Sequence, residues 1–177
     1  MKEFNINNIK NICPEISGTQ CSFYAEGCAV ALEEHGHKVP TELVIDGDFS
    51  LKCLLLWDAP TSKRGWREPN DLAHFGAIAI AFHLTTALTE YQVVEQACIG
   101  KGGFDYYLCF KEDDPRYDAD NFINARLEIS GTNKGIEALT KRVRQKLEQV
   151  SPSDSWNIPA YVVVTDFVKP LTYIKKK

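Results

Sequence analysis

The chain has 177 residues, 44% of them hydrophobic and 25% charged, which suits one soluble domain and excludes a disordered or fibrous chain. Its net charge of −4 excludes a wholly basic nucleic-acid coat, but not a local basic groove, because binding follows where the charge sits. The longest apolar stretch, FGAIAIAFHL, covers ten residues. A membrane helix needs about 20, and MKEFNINNIK shows no signal-peptide pattern, so no membrane span is expected and the setting is read as cytoplasmic.

Residues 1–18 are polar, with a break at Cys13-Pro14, and are expected to carry little regular structure. TQCSFYAEGCAVALEEHGH (19–37) reads as a helix, with Thr19 as N-cap and Gly36 as stop. TELVIDGDFSLKCLLLWD (41–58) reads as two strands around an Asp46-Gly47 turn. APTSKRGWREPN (59–70) is a net basic loop. The six cysteines form no C-x-x-C pair and no zinc pattern with histidine, so they are read as free thiols, mostly small core residues, in a reducing compartment.

DLAHFGAIAIAFHLTTALTE (71–90) is capped by Asp71 and rich in Ala and Leu, and reads as a helix. It is apolar nearly all round, so both its sides must be covered. A sheet is expected on one side, and the N-terminal helix and hairpin or a second subunit on the other.

YQVVEQACI (91–99), GFDYYLCF (103–110) and FINARLEIS (122–130) read as three strands. Gly100-Lys101-Gly102-Gly103 is read as a turn between the first two, since neither the Walker spacing nor a following helix is present. KEDDPRYDADN lacks the glycine and final glutamate of a calcium loop and reads as a solvated connection. NKGIEALTKRVRQKLEQV (133–150) is a helix with a core stripe of Ile136, Leu139, Val143, Leu147 and Val150. IPAYVVVTDFV (158–168) reads as an interior strand, and the tail ends in three lysines.

Two of these strands carry in-line acids. Asp105 stands against Phe104, Tyr106 and Leu108 on the opposite face. Glu128 follows, with 22 residues between, in ARLEISG, where Ala125, Leu127 and Ile129 take one side and Arg126, Glu128 and Ser130 the other. On these two acids, and on the order helix, strand, strand, strand, helix, strand from residue 71, the chain resembles the PD-(D/E)XK nuclease superfamily over about residues 71–168. The resemblance implies an α/β (α+β) restriction-endonuclease-like fold: an α-β-β-β-α-β core with a mixed sheet flanked by helices. Residues 1–66 would add a helix and hairpin to that core within one domain, 1–177.

The family's motif is an acid on the second strand and an acid-x-lysine on the third. Asp105 and Glu128 match the two acids. The chemistry accounts for such a pair: phosphodiester hydrolysis needs an activated water and a stabilised negative charge, and magnesium or manganese held by carboxylates supplies both. Two close carboxylates without a cation raise a pKa. The lysine position is Ser130, which carries no charge. Some family members place the lysine on the following helix, and Lys146 borders the apolar stripe there, with Arg142 one turn earlier. The other reading makes Lys141, Arg142, Arg144 and Lys146 a solvated or phosphate-contacting face. His74, Glu90 and Glu95 are the candidates for a further site residue, His74 being equally readable as a hydrogen-bonded core histidine. Tyr106, Tyr107 and Trp66 are read as packing residues.

The expected function is magnesium-dependent cleavage of nucleic acid, DNA in preference to RNA. The alternative is a degenerate module that binds nucleic acid, a protein partner or a second copy. Either way the two carboxylates are expected to converge within about 4–6 Å, the span of one hard cation. Loss of Lys146 is expected to leave thermal stability unchanged.

Overall fold

A computed structural model describes residues 1–98 and 102–177. In chain order the elements are β1 (Lys2–Asn5), α1 (Ile9–Ile12), α2 (Gly18–Glu34), β2 (Thr41–Gly47), β3 (Leu51–Leu56), α3 (Pro69–Leu88), β4 (Tyr91–Gln96), β5 (Tyr106–Phe110), β6 (Ala125–Thr132), α4 (Ile136–Gln149), β7 (Ala160–Asp166) and β8 (Leu171–Lys176). The strands form one mixed eight-stranded sheet, ordered β1-β3-β2-β8-β7-β6-β5-β4. β4, β5 and β6 run as an antiparallel meander, and β7 lies parallel to β6 after the α4 crossover. The expected order of elements from residue 71 is therefore present.

α3 is the centre of the larger core. It begins with Pro69 at its first turn and Glu68 as N-cap, where the sequence suggests Asp71. Most of its apolar residues are buried, Phe75, Ala87 and Leu88 only in part, with β4, β6 and β7 on one face and α2 on the other. α3 is long and apolar enough to cross a bilayer, but that surface is spent on internal packing. Close approach depends on absent side chains. A Cβ on Gly131 of β6 would fall 1.8 Å from the Ala73 carbonyl oxygen of α3. On the other side Gly76 lets α3 approach α2, where its Cβ would lie 3.1 Å from Cys28 Cα. The hairpin does not cover α3, as one expectation had it. β2 pairs with β8 and so widens the sheet.

Three elements, β1, α1 and β8, are absent from the sequence reading. Residues 1–18 are ordered: β1 pairs parallel with β3, and Ile6 and Ile9 are wholly buried. The lysine tail is strand β8, hydrogen-bonded between β7 and β2. There Thr172 and Ile174 are buried on one face, Leu171 and Tyr173 pack on the other, and Lys176 at the end is exposed. Ser17, in place of Thr19, caps α2 by accepting from Gln20 N–H at 3.2 Å. All six cysteines are free, and only Cys98 is exposed. The expected glycine turn falls partly on residues 99–101, outside the described residues.

α4 covers the opposite face of the sheet. Leu139, Val143 and Val150 meet Ala160, Val162 and Val164 there in a smaller core. Phe104 joins this side, against Tyr107 and Trp156, and not the side of Tyr106 and Leu108. It precedes β5, so strand alternation does not govern it.

Candidate functional site

The two acids meet where β5 leaves β6. Tyr106 pairs with Leu127, so one residue further on Asp105 stands opposite Glu128. Asp105 N–H still donates to Leu127 O, at 2.9 Å. Beyond that point the main-chain ladder stops, and Asp105 Oδ2 continues it by accepting from Ile129 N–H at 2.8 Å. That bond fixes the carboxylate against β6.

Alternation along β6 puts Arg126, Glu128 and Ser130 on the α4 side and Leu127 and Ile129 on the α3 side. All five are buried. Arg126 is structural: its guanidinium donates to Ser153 Oγ at 2.5 Å and Ile158 O at 2.8 Å, and pairs with Asp154 at 3.4 Å. These bonds hold the short 3-10 helix Ser151–Trp156 against the sheet.

Glu128 has no exposed surface. Its Oε1 is in direct ion contact with Lys146 Nζ and accepts from Gln149 Nε2 at 3.1 Å. Lys146 Nζ also donates to Gln149 Oε1, at 3.0 Å. Lys146, Gln149 and Glu128 thus close a ring of polar contacts. Glu128 Oε2 is buried as well. Burial, then the neighbouring Asp105 charge, and a hydrogen bond shared with Asp105 push the Glu128 carboxyl up to about 8, against the opposing pull of Lys146.

The last turn of α4 can reach Glu128 because Gly103 lets it in. Gly103 has φ +71°, and a Cβ there would fall 1.9 Å from the Gln149 carbonyl oxygen. Gln149 Nε2 also donates to Gly103 O at 3.3 Å, and Ser153 Oγ to Gly102 O at 2.7 Å. Gln149 is the site residue that sequence reasoning missed. Its signal was its place three residues after Lys146, on the same helix flank.

The remaining candidates fall outside this ring. His74 is half-buried on α3. Burial lowers its pKa, with Asp105 opposing that and Lys146 adding to it, so it stands within the field of the site. Ser130 is buried in the row of Glu128 and faces α4, with no charge to offer. Glu95 is exposed on β4, opposite Tyr107 and beyond a bulge between Val93 and Glu95, so it does not join the pair. Glu90 lies between α3 and β4. Arg142 is exposed and in no ion pair with either acid. Tyr106 packs in the core with its hydroxyl 2.8 Å from that of Tyr24, and Trp66 rests on Phe23 at 4.7 Å between ring centres.

Among the described residues no group of three or more His, Cys, Asp and Glu side chains is arranged to hold a metal. The pair itself offers hard oxygen donors, those of Glu128 wholly buried. That chemistry fits a hard divalent cation completed by water or substrate oxygens. No protein-family model, no characterised relative and no solved structure matches the chain.

Proposed function

We propose that this protein is a magnesium- or manganese-dependent nuclease of the PD-(D/E)XK kind, with a restriction-endonuclease-like core, that hydrolyses phosphodiester bonds in DNA. The observation that carries this reading is the pair itself: Glu128, wholly buried, stands across the end of the ladder from Asp105. Two carboxyls so close need a proton or a cation between them, and a divalent cation can take the place of the proton. A bound cation would polarise the phosphoryl oxygen and make a water nucleophilic.

The chain's own residues would do the rest. Asp105 offers Oδ1 while Ile129 N–H holds its other oxygen. Glu128 offers Oε2 while Lys146 and Gln149 hold Oε1. Lys146 brings the positive charge that Ser130 lacks. From this position it can donate to the attacking water or to the charge developing on phosphate. Its contact with Glu128 supports the relocation of that charge from β6 to α4.

The test is cleavage of single-stranded, duplex and branched DNA with magnesium, with manganese and with chelator. Wild type should cut only with metal, and Asp105→Asn and Glu128→Gln should each lose about a hundredfold or more. Cleavage by both variants at the wild-type rate contradicts the reading. One observation favours the degenerate module: Lys146 and Gln149 already cover Glu128, forming an ion pair that needs no metal. A wild type that binds DNA but never cuts would establish that alternative.

A further inference from the structure

Three aromatic side chains are strongly exposed among the described residues: Phe23, Tyr117 and Trp156. Phe23 sits on α2, across the sheet from the acid pair, against Trp66 and Phe75. Tyr117 lies in the connection beyond the far end of β5. Of the three, only Trp156 stands on the face of the acid pair. Its ring meets that of Phe104, the residue before Asp105, edge to face at 5.6 Å between centres. It lies parallel to Tyr107, with 9° between the rings and 6.3 Å between centres. Tyr107 pairs with Arg126 as Asp105 stands opposite Glu128. It is therefore two residues, about 7 Å, from Asp105 along one face. α4 packs on β6 and β7, so Phe104, Tyr107 and Trp156 cover this side of β5. The backbone around Trp156 is also tied. Arg126 donates to Ser153 Oγ before it and to Ile158 O after it. A ring half in water, already held in place, loses little freedom when it binds.

We propose that Trp156 is a stacking platform for one unpaired base of a single-stranded nucleic acid whose backbone runs on to Asp105 and Glu128. This rests on the nuclease reading and narrows its substrate to strands with an unpaired base beside the phosphate that is cut. An aromatic face accepts any base, because every base has a π-face. A base inside a duplex must first leave the stack, at a cost of a few kcal/mol. A protein partner fits the platform less well. A stable protein interface buries about 800 Å² on each side, whereas the exposed part of this cluster is a single indole.

The test measures anisotropy of a fluorescein-labelled single-stranded DNA, and of its duplex, in chelator. Sodium chloride is varied from about 50 to 300 mM, where phosphate contacts set the slope of affinity against salt. Trp156→Leu keeps apolar bulk on Phe104 and removes the aromatic ring. It should weaken single-strand binding about 5- to 150-fold at every salt concentration. The slope should stay unchanged, because stacking neutralises no phosphate. Duplex affinity should match wild type. Trp156→Phe should recover most of the loss, and Phe23→Leu, across the sheet, should match wild type throughout. Melting temperatures confirm that all variants are folded.

Single-strand affinity equal in Trp156→Leu and wild type overturns the proposal. An equal loss for single strand and duplex also overturns it, as does Trp156→Phe binding as weakly as Trp156→Leu, or a wild type that does not bind the single strand. If wild type binds the single strand through Trp156 but never cuts it with metal, the platform stands and the nuclease reading falls. If wild type cuts and Trp156→Leu binds as wild type does, the nuclease reading stands and the platform falls.

Discussion

Asp105 Oδ2 accepts the main-chain N–H of Ile129 at 2.8 Å, in the place where a strand carbonyl would otherwise continue the ladder. One carboxylate oxygen is therefore structural, and the carboxyl of Glu128 lies close enough to share a hydrogen bond with Asp105. Asp105→Asn can keep the bond through its amide oxygen while losing the negative charge. It should melt within about 1 kcal/mol of wild type and yet lose metal-dependent cleavage. Thermal melting and a cleavage assay on the same preparation check both halves.

Glu128 should make stability depend on pH. Its carboxyl lies near 4.5 in an unfolded chain and about 8 in the folded protein. Between those values the folded state holds a proton that the unfolded state releases. Stability is therefore lost as pH rises through that window, by on the order of 1.4 kcal/mol per pH unit at most. In chelator the melting temperature should fall from pH 5 to pH 8, and manganese should restore more at pH 8 than at pH 5. Glu128→Gln should flatten the slope and abolish the manganese effect; an unchanged slope would rule out Glu128 as its source.

Lys146→Ala should abolish cleavage, by about a hundredfold or more, with Lys146→Arg retaining part of it. The sequence suggests that this loss costs no stability, but Lys146 is mostly buried and contacts a wholly buried carboxylate. Its removal should cost about 1–3 kcal/mol. It should also raise the Glu128 pKa further, since Lys146 is among the groups holding it down. Arg144→Ala should match wild type in both assays.

Gln149→Ala should lower kcat about tenfold and leave KM near wild type, because Gln149 positions Lys146 and Glu128 and touches no substrate. Gln149→Glu should do worse, by placing a third carboxylate beside Glu128 and pairing with Lys146 in its place. Steady-state kinetics of the two variants distinguish positioning from a purely structural role.

Gly131→Ala should destabilise the fold by about 1–3 kcal/mol or more, since its Cβ has no room before the Ala73 carbonyl oxygen. Chemical denaturation should show this in the metal-free protein. A variant as stable as wild type would mean that α3 can move away from β6.

The acids and the lysine were legible in the sequence because strand alternation and helical phase both report direction. Asp105 and Glu128 had to share a face once their strands paired, and Lys146 had to border the α4 core stripe. Gln149 was legible only as a neighbour of Lys146 on one helix flank; its contact with Glu128 also depends on Gly103, whose left-handed backbone opens a gap that no pattern of polarity records. β1 and β8 were hidden for a different reason. Each shows too few apolar residues to read as a strand alone, and each gains its place by pairing with a distant one. Glu95 looked like a site acid by proximity in sequence, and the bulge in β4 sets it elsewhere.

Anomalous diffraction from a crystal soaked in manganese decides whether the carboxylate pair holds a cation. One peak is expected between the two carboxylates, about 2–2.5 Å from an oxygen of Asp105 and of Glu128, with Lys146 still beside Glu128. No peak at the pair, with the Lys146–Glu128 contact unchanged at saturating manganese and pH 8, would contradict the metal-dependent reading.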